Sequence, residues 1–132
     1  MSEIDDLMQA GKQAQAEGRL VDAHNIFDEA GRNAKFAGDG MRQAEAMIHI
    51  GAVARERGKI DQALYMYGEA VGLLRKVNMP LKTAAAWRTI AEIHEARHDL
   101  PSAQRPWREA RDIYTKEGMQ AEADACATHL FG

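Results

Sequence analysis

The sequence contains little that could cross-link or interrupt a chain: one cysteine and three prolines among 132 residues. The single cysteine, Cys126, excludes an intrachain disulfide, so folding does not depend on an oxidising compartment. The scarcity of proline leaves long stretches free to form helices, because a proline inside a helix removes a backbone hydrogen bond. Stability must therefore come from packing of regular elements.

Neither charge nor hydrophobicity indicates nucleic acid or a membrane as partner. Seventeen basic and 20 acidic residues give a net charge of −3, which is no basic excess to attract nucleic acid. No apolar run approaches the roughly 20 residues of a membrane span, and the amino terminus, Met1 to Asp6, is acidic where a secretory signal is basic. We therefore expect a cytoplasmic protein that binds neither.

The chain aligns with itself in three copies at an offset of 40 residues. The first helix of each copy carries four residues on one helical face: Leu7, Ala10, Gly11 and Ala14; Met47, Ile50, Gly51 and Ala54; Trp87, Ile90, Ala91 and His94. The second helix carries an aromatic between two alanines: Ala23, Phe27 and Ala30; Ala63, Tyr67 and Ala70; Ala103, Trp107 and Ala110. The pattern predicts three similar helix pairs with Trp87 and Trp107 in the core.

Residues that favour a left-handed backbone recur where these helices should end. Gly18 and Gly58 follow the first helices, with His98 in the third copy, and Gly38, Asn78 and Gly118 follow the second helices. The predicted helices are 3–17, 20–37, 41–57, 60–77, 80–97, 100–117 and a lone helix at 120–130. Pro106 lies inside the sixth helix, where we expect a kink or a late start near residues 102–106.

The family pattern of tetratricopeptide repeats (TPR) is a Trp or Leu, then Leu-Gly, then Tyr, then Ala and an aromatic in the second helix. All three copies follow that order, and the sequence therefore resembles this family. The resemblance covers about residues 4–131, with repeats at 3–38, 41–78 and 80–118. The period of 40 exceeds the family's usual 34 or so and resembles the long-repeat branch seen in kinesin light chain. The resemblance implies one all-α domain, a right-handed superhelix with first helices lining a concave groove.

The segment His94-Glu95-Ala96-Arg97-His98 matches the H-E-x-x-H pattern of zinc metallopeptidases. The repeat register argues against a zinc site, because His94 falls where Ala14 and Ala54 pack and His98 falls at a helix end. Glu117, Glu122 and His129 are the candidates for a third ligand. The competing interpretation is a partly buried His94 and an exposed His98, and the chain is then not an enzyme and needs no cofactor.

Two other features favour packing over chemistry. Cys126 has only His129 nearby in sequence as a base, so a buried apolar role outweighs that of a reactive thiol. Five glycines lie inside predicted helices, where they are expected to permit close packing: Gly11, Gly31, Gly51, Gly68 and Gly72.

The groove of the first helices is the predicted functional surface. Six residues there are predicted to bind a partner: Met8, Lys12, Ile48, Arg55, Arg88 and Glu92. Apolar residues beside cations suit a peptide or helix with acidic and apolar side chains. The alternative is a solvated face on which Arg55 and Glu95 pair.

The sequence therefore predicts a protein-interaction module whose partner is another protein. The alternative is a self-assembling scaffold, because solenoid ends expose apolar surface and the seventh helix lacks a following helix. A zinc metallopeptidase is the remote third possibility.

Overall fold

The computed structural model describes residues 2–131, and within that range every regular element is an α-helix. The helices are α1 (Glu3–Ala16), α2 (Leu20–Phe36), α3 (Gly40–Glu56), α4 (Ile60–Lys76), α5 (Pro80–Ala96), α6 (Leu100–Lys116) and α7 (Gln120–Ala127). The predicted all-α class is confirmed. The predicted bounds agree to within one residue, except that α7 ends at Ala127 rather than at residue 130.

The six connections between these helices share one backbone design. Each is three residues long, and its second residue has a positive φ: Gly18, Gly38, Gly58, Asn78, His98 and Gly118. At the first, Gly18 N–H donates to the Gln15 carbonyl and Arg19 N–H to the Ala14 carbonyl, which satisfies carbonyls left free at the helix end. The predicted helix-ending positions are confirmed. Such short connections make consecutive packed helices antiparallel.

Helix starts are also locally encoded. The Asp39 carboxylate accepts a hydrogen bond from Arg42 N–H at the start of α3, and Asp99 accepts one from Ser102 N–H at the start of α6. These side chains satisfy backbone donors that have no partner within the helix. Pro80 is the first residue of α5, where its missing N–H costs nothing.

The described chain divides into two compact units that meet within α4, the first ending at Leu73 and the second beginning at Leu74. In the first unit, α2 packs against both α1 and α3. Phe27 is completely buried, and a Cβ at Gly11 would lie 2.5 Å from its ring. Tyr67 packs against Gly51 in the same way, at 2.9 Å. The predicted packing role of these two glycines is therefore confirmed.

The second unit packs α6 between α5 and α7. Its core surrounds Trp107, which is 2% exposed, and includes Tyr114 and Cys126. After α7, Leu130 packs against the same core. The division of the chain into these units does not test the predicted single domain, which stays a prediction.

Two expectations about the helices are wrong. The helix α6 begins at Leu100 and continues past Pro106, so the late start near residues 102–106 does not occur, while the kink expected there as the alternative stays a prediction. Pro106 is instead a buried residue of α6. The burial of its apolar ring offsets part of the cost of the hydrogen bond that proline cannot make. Gly68 and Gly72 do not support close packing, because a Cβ added at either would meet nothing within 4 Å. At Gly31 a Cβ would lie 3.3 Å from that of Ala46.

Candidate functional site

Met8, predicted to bind a partner, lies in the core. It is 5% exposed and belongs to a cluster that contains Phe27 and Ile50. The sequence argument gave α1 a single buried face, whereas in the structure α1 contacts α3 as well as α2. Packing therefore accounts for Met8, and its side chain offers a partner little surface.

Lys12 of α1 and His49 of α3 lie close enough to interact electrostatically, and both remain accessible. Lys12 is exposed, whereas His49 is half-buried. Burial lowers the pKa of His49, and the positive charge of Lys12 lowers it further. Ile48, the neighbouring residue, is also half-buried. The first unit thus presents a cation beside an imidazole whose pKa is lowered, together with partly apolar surface.

Arg55 lies further along α3 and is exposed. Burial raises the pKa of the Tyr67 phenol, and the positive charge of Arg55 partly offsets this rise. In the same region the Gln15 side-chain amide donates to the Glu56 carboxylate at 2.6 Å, a bond that links α1 to α3. Arg55 is therefore an exposed cation that lies next in sequence to a residue linking α3 to α1.

Arg88, by contrast, is engaged within the second unit. Its guanidinium donates to the hydroxyl of Tyr114 on α6, and this bond is the main cause of its raised pKa. Tyr114 is only 6% exposed, so Arg88 satisfies a buried phenol as well as carrying charge. Glu92, one turn further along α5, is exposed and close enough to Arg88 to contribute to the same shift.

The H-E-x-x-H segment does not form a zinc-binding helix face. The helix α5 ends at Ala96, and His98 has a φ of 59°, so the two histidines are not one turn apart on one helix. His94 is half-buried and His98 exposed, as the competing interpretation predicted. Glu95 accepts a hydrogen bond from His129 Nδ1 at 2.9 Å, which gives it a different partner from the predicted Arg55.

Within residues 2–131, no three side chains of His, Cys, Asp or Glu are arranged to hold a metal ion. Cys126 is completely buried, and burial raises the pKa of its thiol. A buried thiol with a raised pKa is a poor nucleophile, so the predicted packing role of Cys126 is confirmed. No helix in the described part of the chain is long and apolar enough to cross a membrane.

Two histidines stack on core aromatics at equivalent positions of the repeat. The ring centroids of His49 and Phe27 are 4.7 Å apart, and those of His129 and Trp107 are 3.9 Å apart. His49 and His129 are two repeat periods apart, a recurrence visible in the sequence. Sequence reasoning missed it because it followed only the core stripe.

The segment after α7 is held down by one side chain. Gln104 donates through Nε2 to the carbonyl of His129 and accepts through Oε1 from the N–H of Phe131, both at 2.9 Å. Leu130, between them, packs on the core. The segment that follows the last helix is thus fixed to α6 by two hydrogen bonds and to the core by Leu130.

Trp87 is half-buried rather than fully buried, which corrects its predicted core position. The guanidinium carbons of Arg75 and Arg105 lie 5.9 Å and 5.6 Å from the centroid of the Trp87 ring system. Glu109 approaches both arginines at 3.9 Å. The repeat register gave no sign of this group, because neither arginine recurs at the equivalent positions of the first copy.

The sequence matches the family model of the tetratricopeptide repeat over residues 42–116. No curated protein matches the chain in sequence. Among solved structures, PcrH from Pseudomonas aeruginosa superposes with a TM-score of 0.68 at 24% identity, covering 98% of this chain and 92% of that one. PcrH in complex with the chaperone binding region of PopB gives a TM-score of 0.69 at 24% identity, covering 98% of each chain.

BtubC (BKLC) from P. vanneervenii superposes with a TM-score of 0.72 at 14% identity, covering 93% of this chain and 59% of that one. This chain therefore spans less than two thirds of BtubC. At such identities the likeness concerns the fold alone. Because the family model covers more than half of the sequence and the described residues form helix pairs in the matching register, the chain belongs to the tetratricopeptide repeat family.

Proposed function

We propose that this chain is a protein-interaction module that binds an extended or helical segment of a partner on the surface of its first helices. The observation that carries the proposal is a pair of exposed cations in the first unit: Lys12 lies near the half-buried His49, which follows the half-buried Ile48, and Arg55 lies further along the same helix α3. Cations at the edge of partly apolar surface favour a partner with acidic and apolar side chains.

The fold likeness to PcrH supports a protein as the partner. PcrH, whose fold resembles this one, has been crystallised with the chaperone binding regions of PopB and of PopD. The identity of the partner here is open, since 24% and 22% identity carry the fold and not the specificity.

The proposed surface differs from the sequence prediction at two residues. Met8 contributes to the core, so it is not expected to contact a partner. Arg88 hydrogen-bonds with Tyr114, and its replacement by Glu would leave that buried hydroxyl without its partner. Arg88→Glu is therefore a poor test of binding, because it alters stability as well as charge.

A matched pair of charge reversals tests the proposal. The double variant Lys12→Glu/Arg55→Glu reverses two cations of the proposed surface, and Lys35→Glu/Lys59→Glu reverses two exposed lysines elsewhere in the first unit. The net charges of the two variants are equal. In affinity purification from the native host followed by mass spectrometry, partners should be lost from the first variant and retained by the second. Equal capture by both would contradict the proposal.

Self-association is a second candidate, favoured by Phe36. This side chain is 96% exposed at the end of α2, where the other two copies have Lys76 and Lys116. It borders a cavity with Ile4 and Asn33. Sedimentation of the wild type and of Phe36→Lys at several concentrations tests this candidate. A concentration-dependent oligomer that Phe36→Lys dissociates would support it, and a monomeric wild type would exclude it.

A further inference from the structure

A second surface, on the second unit, has the features of a side-chain binding site. A cavity of about 230 Å³ lies between the start of α5 and the second half of α6. Half-buried Met79, Pro80 and Ile113 contribute its apolar lining, while the charged residues Arg75 and Lys116 are exposed. Sites for cofactors and other small molecules have volumes of about 300–1,000 Å³. This cavity is smaller, and its size suits one side chain of a partner.

The charges beside the cavity are incompletely matched. Arg75 and Arg105 share the carboxylate of Glu109, and each nitrogen–oxygen distance is 3.9 Å, at the long limit of an ion pair. Because two guanidinium groups share one distant carboxylate, they could pair with a second carboxylate. Lys116 and Glu117, one residue of each charge, also line the cavity.

Trp87 orders the two arginines before any partner arrives. Both guanidinium carbons lie within 6 Å of the ring centroid, where the negative face of the indole attracts a cation. The side chains of Arg75 and Arg105 nevertheless remain 58% and 71% exposed. Cations that are held in place but accessible lose less conformational freedom when they bind a carboxylate.

We propose that this cavity, lined by Met79, Pro80 and Ile113, binds an aliphatic side chain of a partner protein whose neighbouring carboxylate pairs with Arg75 and Arg105. The site deepens the proposed function, since it supposes a protein partner, but it lies on different residues from the Lys12 and Arg55 surface. An aliphatic side chain fits because the apolar lining is itself aliphatic. The acidic neighbour fits because it brings a second carboxylate to two guanidinium groups that share the distant carboxylate of Glu109.

The probe is the capped peptide acetyl-Ser-Glu-Leu-Glu-Ser-amide, titrated into the full chain and followed by the NMR signals of the Trp87 indole N–H and the Ile113 methyl groups. Two matched peptides replace both glutamates by glutamine or the leucine by glycine. The first peptide should produce saturable shifts with a Kd of about 1 mM, which corresponds to a binding free energy of about −4 kcal/mol. Each matched peptide should bind at least about tenfold more weakly.

Variants of the protein distinguish binding of the peptide at this site from non-specific attraction of the acidic peptide to positive charges elsewhere on the protein. Arg75→Gln and Arg105→Gln should each weaken binding at least about tenfold, and both are expected to fold because these side chains are largely exposed. Lys35→Glu/Lys59→Glu, which reverses two exposed lysines outside both proposed surfaces, should give the same shifts of Trp87 and Ile113 as the wild type. Absence of saturable shifts at Trp87 and Ile113, or equal binding by the arginine variants, overturns this proposal and leaves the proposed function of the first unit intact. Affinity purification also separates the two proposals. If the partner is lost from Lys12→Glu/Arg55→Glu but retained by Arg75→Gln and Arg105→Gln, the cavity proposal is overturned and the proposed function of the first unit is supported.

Discussion

The imidazole of His49 lies flat on the ring of Phe27, with the ring planes 11° apart and the centroids 4.7 Å apart. Burial in this position lowers the pKa of His49, and the nearby charge of Lys12 adds to the effect. A histidine whose pKa is lower in the folded state than in the unfolded chain stabilises the fold while it is neutral. It destabilises the fold when it must be protonated.

The first prediction concerns this histidine. The contribution of His49 to stability should be fully present above pH 6.5, its ordinary pKa, and should be lost as the pH falls from there through the lower folded pKa. In His49→Gln, the loss of stability over this range should be smaller than in the wild type. Urea unfolding midpoints measured above and below pH 6.5 test this. An identical pH dependence in the two proteins would contradict it.

A second prediction compares two helical glycines. In Gly11→Ala the new methyl group would lie 2.5 Å from Phe27, so the variant should lose about 1–3 kcal/mol, the usual cost of overpacking. Gly68→Ala is the matched control, because a methyl group there meets nothing within 4 Å. It should gain up to about 1 kcal/mol from helix propensity. Chemical unfolding measures both, and a stabilised Gly11→Ala would show that the ring can move away cheaply.

The fold could be predicted from the sequence further than the site could. The 40-residue recurrence and the residues at helix ends are local signals, and they placed the helix starts to within one residue. The burial of Met8 depends on the approach of α1 to α3, and the engagement of Arg88 depends on the position of Tyr114. Such tertiary contacts leave no periodic signal. The error at Pro106 has a different cause: the packing of α6 outweighs the tendency of proline to interrupt a helix.

A third prediction distinguishes the two tryptophans. Trp107 is 2% exposed, so Trp107→Ala should cost about 3–5 kcal/mol, whereas the half-buried Trp87 should cost less when truncated. Trp107→Phe should be milder than Trp107→Ala, since Phe27 fills the equivalent position of the first copy. The Trp107 indole N–H also lacks a hydrogen-bond partner within the described chain, so removing it sacrifices no such bond. Urea denaturation followed by circular dichroism ranks the three variants.

The fourth prediction concerns the segment after α7. Gln104→Ala removes both hydrogen bonds that hold the backbone of His129 and Phe131. The amide of Phe131 should then exchange its hydrogen faster, while amides in the middle of α6 keep their protection, because local opening does not require global unfolding. Gln120→Ala serves as a control, since its side chain bonds with Asp124 within α7. Unchanged exchange at Phe131 would show that Leu130 and His129 suffice to hold the segment.

The last prediction concerns the two residues other than glycine that end a helix in the left-handed conformation. His98 has a φ of 59° and Asn78 a φ of 57°. Side chains with a Cβ are strained in this region, and asparagine tolerates it better than histidine. His98→Gly should therefore stabilise the protein by about 0.5–1 kcal/mol, after the greater freedom of glycine in the unfolded chain is subtracted, and Asn78→Gly should gain less.

The converse replacement, Gly18→Ala, provides the control for this strain. A Cβ at Gly18 meets nothing within 4 Å, so any loss of stability must come from its φ of 77° and not from a clash. We expect a loss of about 1 kcal/mol in chemical unfolding. His98→Gly has a functional readout as well, since it removes one histidine of the H-E-x-x-H segment. Because His98 lies beyond the end of α5, partner binding should persist in this variant, and a loss of binding with a gain in stability would assign His98 a role in the interface.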